Sequence, residues 1–112
     1  MLIPRFKFVT KKRLKQLERN IGSEKYQIWR KTVLERDNNT CQWPGCTNKD
    51  KLEVHHIKPY SRYLNLRFNP YNGITLCKEC HQKTFGKEDF YAVMLTKKVF
   101  SNADKKENKD NI

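Results

Sequence analysis

CQWPGC, LEVHHIKP and NGITLCKECH, residues 41–46, 52–59 and 72–81, hold every cysteine and every histidine of the chain. As chemistry they run Cys41-x4-Cys46, then the adjacent His55 and His56, then Cys77-x2-Cys80 followed at once by His81. Two cysteine pairs at chelating spacing are enough for a closed tetrahedral zinc site, which leaves the histidines available for other work. Pro44 and Gly45 make a tight turn that lets Cys41 and Cys46 point at one ion, and the 30 residues between the pairs have room for a strand, a loop and a returning strand. Four incidental cysteines are the competing reading, which leaves unexplained why cysteine occurs nowhere else.

Leu52 to Ile57 sets branched apolar residues around a polar pair and predicts a strand that Pro59 ends. On that strand His55 and His56 point to opposite faces. Ile74 to Leu76 predicts the return of a hairpin, and from Cys77 the chain should turn helical, carrying Cys77, Cys80, His81 and Thr84 until Gly86 stops it. Residues 60–72, rich in Tyr, Arg, Asn and Pro, read as a long loop, which in a small domain is more often functional than idle.

Upstream, Leu14, Leu17 and Ile21 recur at helical spacing from about Thr10 to Asn20, a helix expected to end near Gly22. Ser23 then caps a second helix to about Arg36, with Tyr26, Trp29 and Val33 on its core face, and Asp37 to Thr40 breaks it. Downstream, residues 88–100 predict another amphipathic helix through Phe90, Val93, Met94, Val99 and Phe100. Residues 101–112, largely Lys, Asn, Asp and Glu, predict a disordered tail. The expected organisation is a basic N-terminal extension over 1–22, one zinc-stapled α+β domain over 23–100, and the tail over 101–112.

Only 37% of the 112 residues are hydrophobic, so one small domain with a marginal core is expected, and a metal staple would support it. Met1 to Pro4 is followed at once by Arg5, Lys7, Lys11, Lys12 and Arg13, which does not read as a signal peptide. No apolar run approaches the ~18 residues of a membrane span. The expectation is a soluble chain in a reducing cytoplasm, with its thiolates on zinc rather than in disulfides. With 24 Lys and Arg against 12 Asp and Glu the formal charge is +12, which predicts a polyanionic partner, since phosphate neutralisation and counterion release drive sequence-independent nucleic-acid binding.

The stretch from Leu52 to Pro59, with that from Asn72 to His81, resembles an HNH endonuclease, a small α+β fold of the ββα-metal type framed by paired cysteines and flanked here by N- and C-terminal helices. The resemblance covers about residues 28–85 and looks most like the phage or mobile-element type, which would place it in a host-cell cytoplasm. It implies that His56 is the general base that activates water, that His55 and His81 ligate a catalytic divalent ion, and that Asn72 braces the loop and keeps the base oriented. The structural zinc falls to Cys41, Cys46, Cys77 and Cys80. Some members, such as the colicin nucleases, carry a further histidine one turn after the last, where this chain has Phe85, so two protein ligands are expected, with Mg2+, Mn2+, Ni2+ or Zn2+ as the ion.

The implied activity is metal-dependent hydrolysis of phosphodiester bonds in double-stranded DNA, leaving 5′-phosphate and 3′-hydroxyl ends. The chain would act as a monomer, as a homodimer or within a larger nuclease or packaging assembly. Lys58, Arg62 and Arg67 are candidate phosphate contacts, Tyr60 and Tyr63 candidates to pack on sugar or bases, and the basic N-terminal helix a second DNA contact. The alternative is a zinc-stabilised nucleic-acid-binding module without chemistry, for which His56 and His81 have no use.

Overall fold

Two five-residue strands, β1 (Leu52–His56) and β2 (Gly73–Cys77), pair antiparallel with Glu53 opposite Leu76, His55 opposite Ile74 and His56 opposite Gly73. The structure is a computed structural model and describes residues 10–59 and 62–110. Around the hairpin lie α1 (Lys11–Arg36), α2 (Lys78–Lys83) and α3 (Glu88–Asp110), with short 3-10 turns at Leu64–Leu66 and Pro70–Asn72 in the β1–β2 connection. The architecture is the expected mixed one, a small two-stranded sheet flanked by helices.

Alternation gives the hairpin two chemically different faces. On one, Val54 packs with the fully buried Trp29 and Val33 of α1. Gly73 permits this approach, since a Cβ there would sit 2.7 Å from both the Trp29 ring and the Val33 side chain. On the other face Ile74 and Leu76 join Ile57, Cys80 and the α3 residues Ala92, Leu95 and Val99. Burying each of these large apolar side chains stabilises the fold by roughly 1.5–3 kcal/mol before ordering costs.

The end of α1 is fastened by charge. Arg36 and the fully buried Asp37 form a two-point pair at 2.8 and 2.9 Å. Arg36 also donates to the carbonyls of Pro70 and Gly73 at 2.7 Å each, while Asp37 accepts from the Thr75 N–H at 2.9 Å and the Asn102 amide at 3.0 Å. One ion pair therefore ties together α1, the loop before β2, β2 itself and α3. The chain then turns through Asn38 and Asn39 at φ +56° and +51°, left-handed conformations that asparagine tolerates.

Three expectations need correction. The two helices expected to meet at Gly22 are one helix of 26 residues, capped by Thr10, whose hydroxyl accepts from the Arg13 N–H at 3.1 Å; Ser23 caps nothing, and the 22/23 boundary falls inside α1. A single glycine costs about 1 kcal/mol, too little to break a run of Lys, Arg, Gln, Glu and Leu. Leu14, Leu17 and Ile21 lie on that helix but stay exposed. The third correction concerns the tail: α3 continues to Asp110 instead of stopping near Phe100, because its Lys, Glu and Ala residues are good helix formers and Asn102 is held by Asp37 and Gln42. Residues 1–9 of the expected extension, Tyr60, and the last two residues of the tail lie outside the described residues. No helix among those described is long and apolar enough to cross a membrane.

Candidate active site

The cysteines come together as their spacing predicts. Pro44 and Gly45 reverse the chain, Gly45 at φ +81°, where glycine is the favoured residue, and the Cys46 N–H closes the turn on the Trp43 carbonyl at 2.9 Å. Gln42 N–H donates to the Thr75 carbonyl at 2.9 Å, docking the knuckle on β2. Cys77 ends β2 and is the N-cap of α2, which places Cys80 in the first turn. A zinc with Zn–S bonds of about 2.3 Å spaces its sulfurs about 3.8 Å apart; the four Sγ atoms here lie within 4.8 Å of one another. These free thiols could hold a metal such as zinc.

Their protonation fits that role. The backbone N–H of Cys80 pulls the Cys77 thiol down to about 7, whereas burial pushes Cys41 and Cys80 up. A cation inside the cluster is what would deprotonate all four, so its binding releases protons.

His55 and His81 meet on the α2 side of the hairpin. Their rings stand edge to face with centroids 5.1 Å apart. His55 is 5% exposed, and among the described residues its Nε2 is one of two buried side-chain polar atoms with no hydrogen-bond partner. A buried imidazole nitrogen without a partner, beside a second imidazole, fits a transition-metal ligand pair. Burial, helped by the charge of His81, lowers the His55 pKa to about 4, which keeps its ring in the neutral form that ligates metal. Phe85, at the position of the further histidine in some relatives of the motif, lies exposed with its ring edge-on to His81 at 5.1 Å.

His56 lies on the opposite face, as strand alternation requires, stacked on Trp29 with ring centroids 4.0 Å apart and planes 11° from parallel. Its Nε2 is 2.9 Å from the Arg67 carbonyl. A carbonyl only accepts, so Nε2 carries the proton and the neutral ring has its lone pair on Nδ1. Burial lowers the His56 pKa, opposed by the Arg67 carbonyl bond and assisted by the charge of Arg67.

Asn72 is buried and bridges the two ends of the long loop. Its Oδ1 accepts from the Lys58 N–H at 2.8 Å, and its Nδ2 donates to the carbonyls of Lys58 at 3.1 Å and Leu66 at 3.2 Å. Leu66 directly precedes the residue whose carbonyl holds His56, so the amide fixes the backbone that orients the ring.

Lys58, Arg62 and Arg67 all belong to this loop. Lys58 places its ammonium 5.8 Å from the Tyr63 ring centroid, and the exposed Arg62 lies beside the same ring and 3.8 Å from Asp89. By its helical spacing Trp29 reads as core alone, and nothing along the chain signals that it also stacks on a histidine 27 positions later. Glu53 shares a strand face with His55, a relation legible in the period-two alternation of the strand.

A hairpin with a cysteine knuckle at one end that could hold a metal, a histidine pair between strand and helix, and a third histidine clamped to a loop carbonyl defines a ββα unit. Residues 40–84 match the family model for HNH endonuclease, and over that segment the chain carries an HNH domain. No curated protein matches the chain, and no solved structure does. The HNH domain points to nuclease activity and a nucleic-acid substrate.

Proposed function

We propose that the protein is a metal-dependent endonuclease that hydrolyses phosphodiester bonds in double-stranded DNA, with His56 as general base and 5′-phosphate and 3′-hydroxyl products. The observation that carries the reading is the buried, partnerless Nε2 of His55 beside the His81 ring, a donor pair that a binding module would not need. A divalent cation held by His55 and His81 would supply Lewis-acid stabilisation of the charge that builds on the phosphate and on the departing oxygen.

The chain's own residues do the rest. His56 accepts the proton of the attacking water at Nδ1, while the Arg67 carbonyl, bonded to Nε2, holds the ring in the tautomer that can do so and stabilises the imidazolium that results. Trp29 limits rotation of the ring by stacking on it. Asn72 prevents the loop carbonyl from drifting. Lys58, Arg62 and Arg67 lie where a backbone entering this loop would meet positive charge, and a formal charge of +12 favours the encounter. One site nicks one strand, and cutting both calls for a second copy.

Supercoiled plasmid incubated with Mg2+, Mn2+, Ni2+ or Zn2+, with and without EDTA, tests the proposal. Cleavage that depends on added metal is expected, and His56→Ala should lower its rate by about 10²- to 10⁴-fold while DNA binding is retained. Binding without cleavage under all four ions, or a His56→Ala variant that cuts at the parental rate, would overturn it.

A further inference from the structure

We infer that Glu53 is the positioning residue of the metal centre, its carboxylate fixing His81 so that Nε2 is the nitrogen offered to the ion. The inference rests on the metal-dependent reading above and adds a residue to it. Glu53 stands two positions before His55 on β1, in register with Leu76 as His55 is with Ile74, so both side chains emerge from the face against which α2 packs. There the Glu53 carboxylate is hydrogen-bonded to Nδ1 of His81.

A carboxylate only accepts, so Nδ1 carries a proton, and in the neutral ring that ligates metal the lone pair is left on Nε2. One short strand therefore provides a ligand, His55, and the group that orients the second ligand, His81, although the two histidines are 26 positions apart in the chain. This is the arrangement by which a carboxylate behind a ligating imidazole sets its tautomer and raises its basicity. It also places a negative group beside the two imidazoles. Glu53 is about half exposed while the His81 side chain is 22% exposed, so removal of the carboxylate loosens the ring without opening the core.

The test uses the full chain with its cysteine site loaded with zinc, titrated calorimetrically with Mn2+. Glu53→Ala should weaken Mn2+ binding by about 10- to 100-fold, and Glu53→Gln, whose amide oxygen can still accept from Nδ1–H, should recover part of the loss. In the absence of Mn2+, long-range ¹⁵N correlation spectra should show His81 as the Nδ1–H tautomer in the parent and a shift toward Nε2–H in Glu53→Ala, with circular dichroism and zinc content unchanged. Parental Mn2+ affinity in Glu53→Ala, or an unaltered His81 tautomer, overturns the inference. His55→Ala separates the two levels of the claim. Lost binding in His55→Ala with unchanged binding in Glu53→Ala sinks only the role of Glu53, whereas unchanged binding in His55→Ala sinks the metal centre and the inference with it.

Discussion

Replacing Asn72 by aspartate changes almost no volume and yet should silence the site. The carboxylate can still accept from the Lys58 N–H, but it cannot donate to the carbonyls of Lys58 and Leu66, which the amide reaches at 3.1 and 3.2 Å. An acceptor then faces two acceptors inside a pocket where residue 72 is 6% exposed. Two lost bonds at about 1 kcal/mol each, with the half-buried Lys58 carbonyl stripped of its amide partner while the Leu66 carbonyl keeps the Asn69 N–H at 3.3 Å, come to roughly 2–4 kcal/mol. If this loosening falls on the backbone that presents the Arg67 carbonyl to His56, it translates into about a 10²-fold loss in the chemical step, at 1.36 kcal/mol per decade.

Asn72→Ala loses all three bonds and should be impaired at least as much. Single-turnover nicking of supercoiled plasmid at saturating metal isolates that step, and a thermal melt run alongside reports the stability loss. DNA affinity should stay near the parental value, since no phosphate-binding side chain is removed. An Asn72→Asp protein that nicks at the parental rate would refute the link from amide to loop to base.

Three further outcomes are expected. Cys80→Ser, or chelation of the cysteine-bound ion, should unfold the domain as seen by circular dichroism, because metal binding in a site of this size is largely folding free energy; a melt unchanged in excess chelator would contradict this. Asp37→Ala strands the Arg36 guanidinium, whose side chain is 8% exposed, and should cost about 3–5 kcal/mol in urea denaturation, so a loss under 1 kcal/mol would count against the buried pair as the clamp between α1 and the hairpin. With no ion at the histidines, His55 titrates near 4 in the fold against 6.5 when unfolded. The unfolded chain therefore binds more protons between these values, and stability complete above pH 6.5 should fall by at most about 3 kcal/mol as pH drops toward 4, a slope that His55→Gln should flatten in urea melts at pH 7 and 4.5.

Much of this protein is written locally. The cysteine pairs, the Pro44 and Gly45 turn, the hairpin strands and the helix after Cys77 follow from spacing and turn chemistry acting over a few residues, and the opposite orientation of His55 and His56 follows from strand periodicity alone. Local signals misled where opposing preferences were weak. Gly22 with Ser23 looks like a break, yet α1 runs through it, and residues 101–110 look too polar to order, yet α3 includes them. Both outcomes are set by helix propensity summed over many residues, and for α3 also by the hold of Asp37 and Gln42 on Asn102, against which single breakers weigh little.

What lies beyond any one-dimensional reading is the set of partners that give each imidazole its job. Trp29 stacks on His56, the Arg67 carbonyl holds its Nε2, Glu53 meets His81, and Asp37 reaches α1, β2 and α3 at once. These pairings join positions far apart in the chain, and a hydrogen bond or ring stack depends on atoms meeting within a few tenths of an ångström. Only packing of the two helical layers against the hairpin brings them to that distance, because the chain between them leaves their approach unspecified until the core has closed.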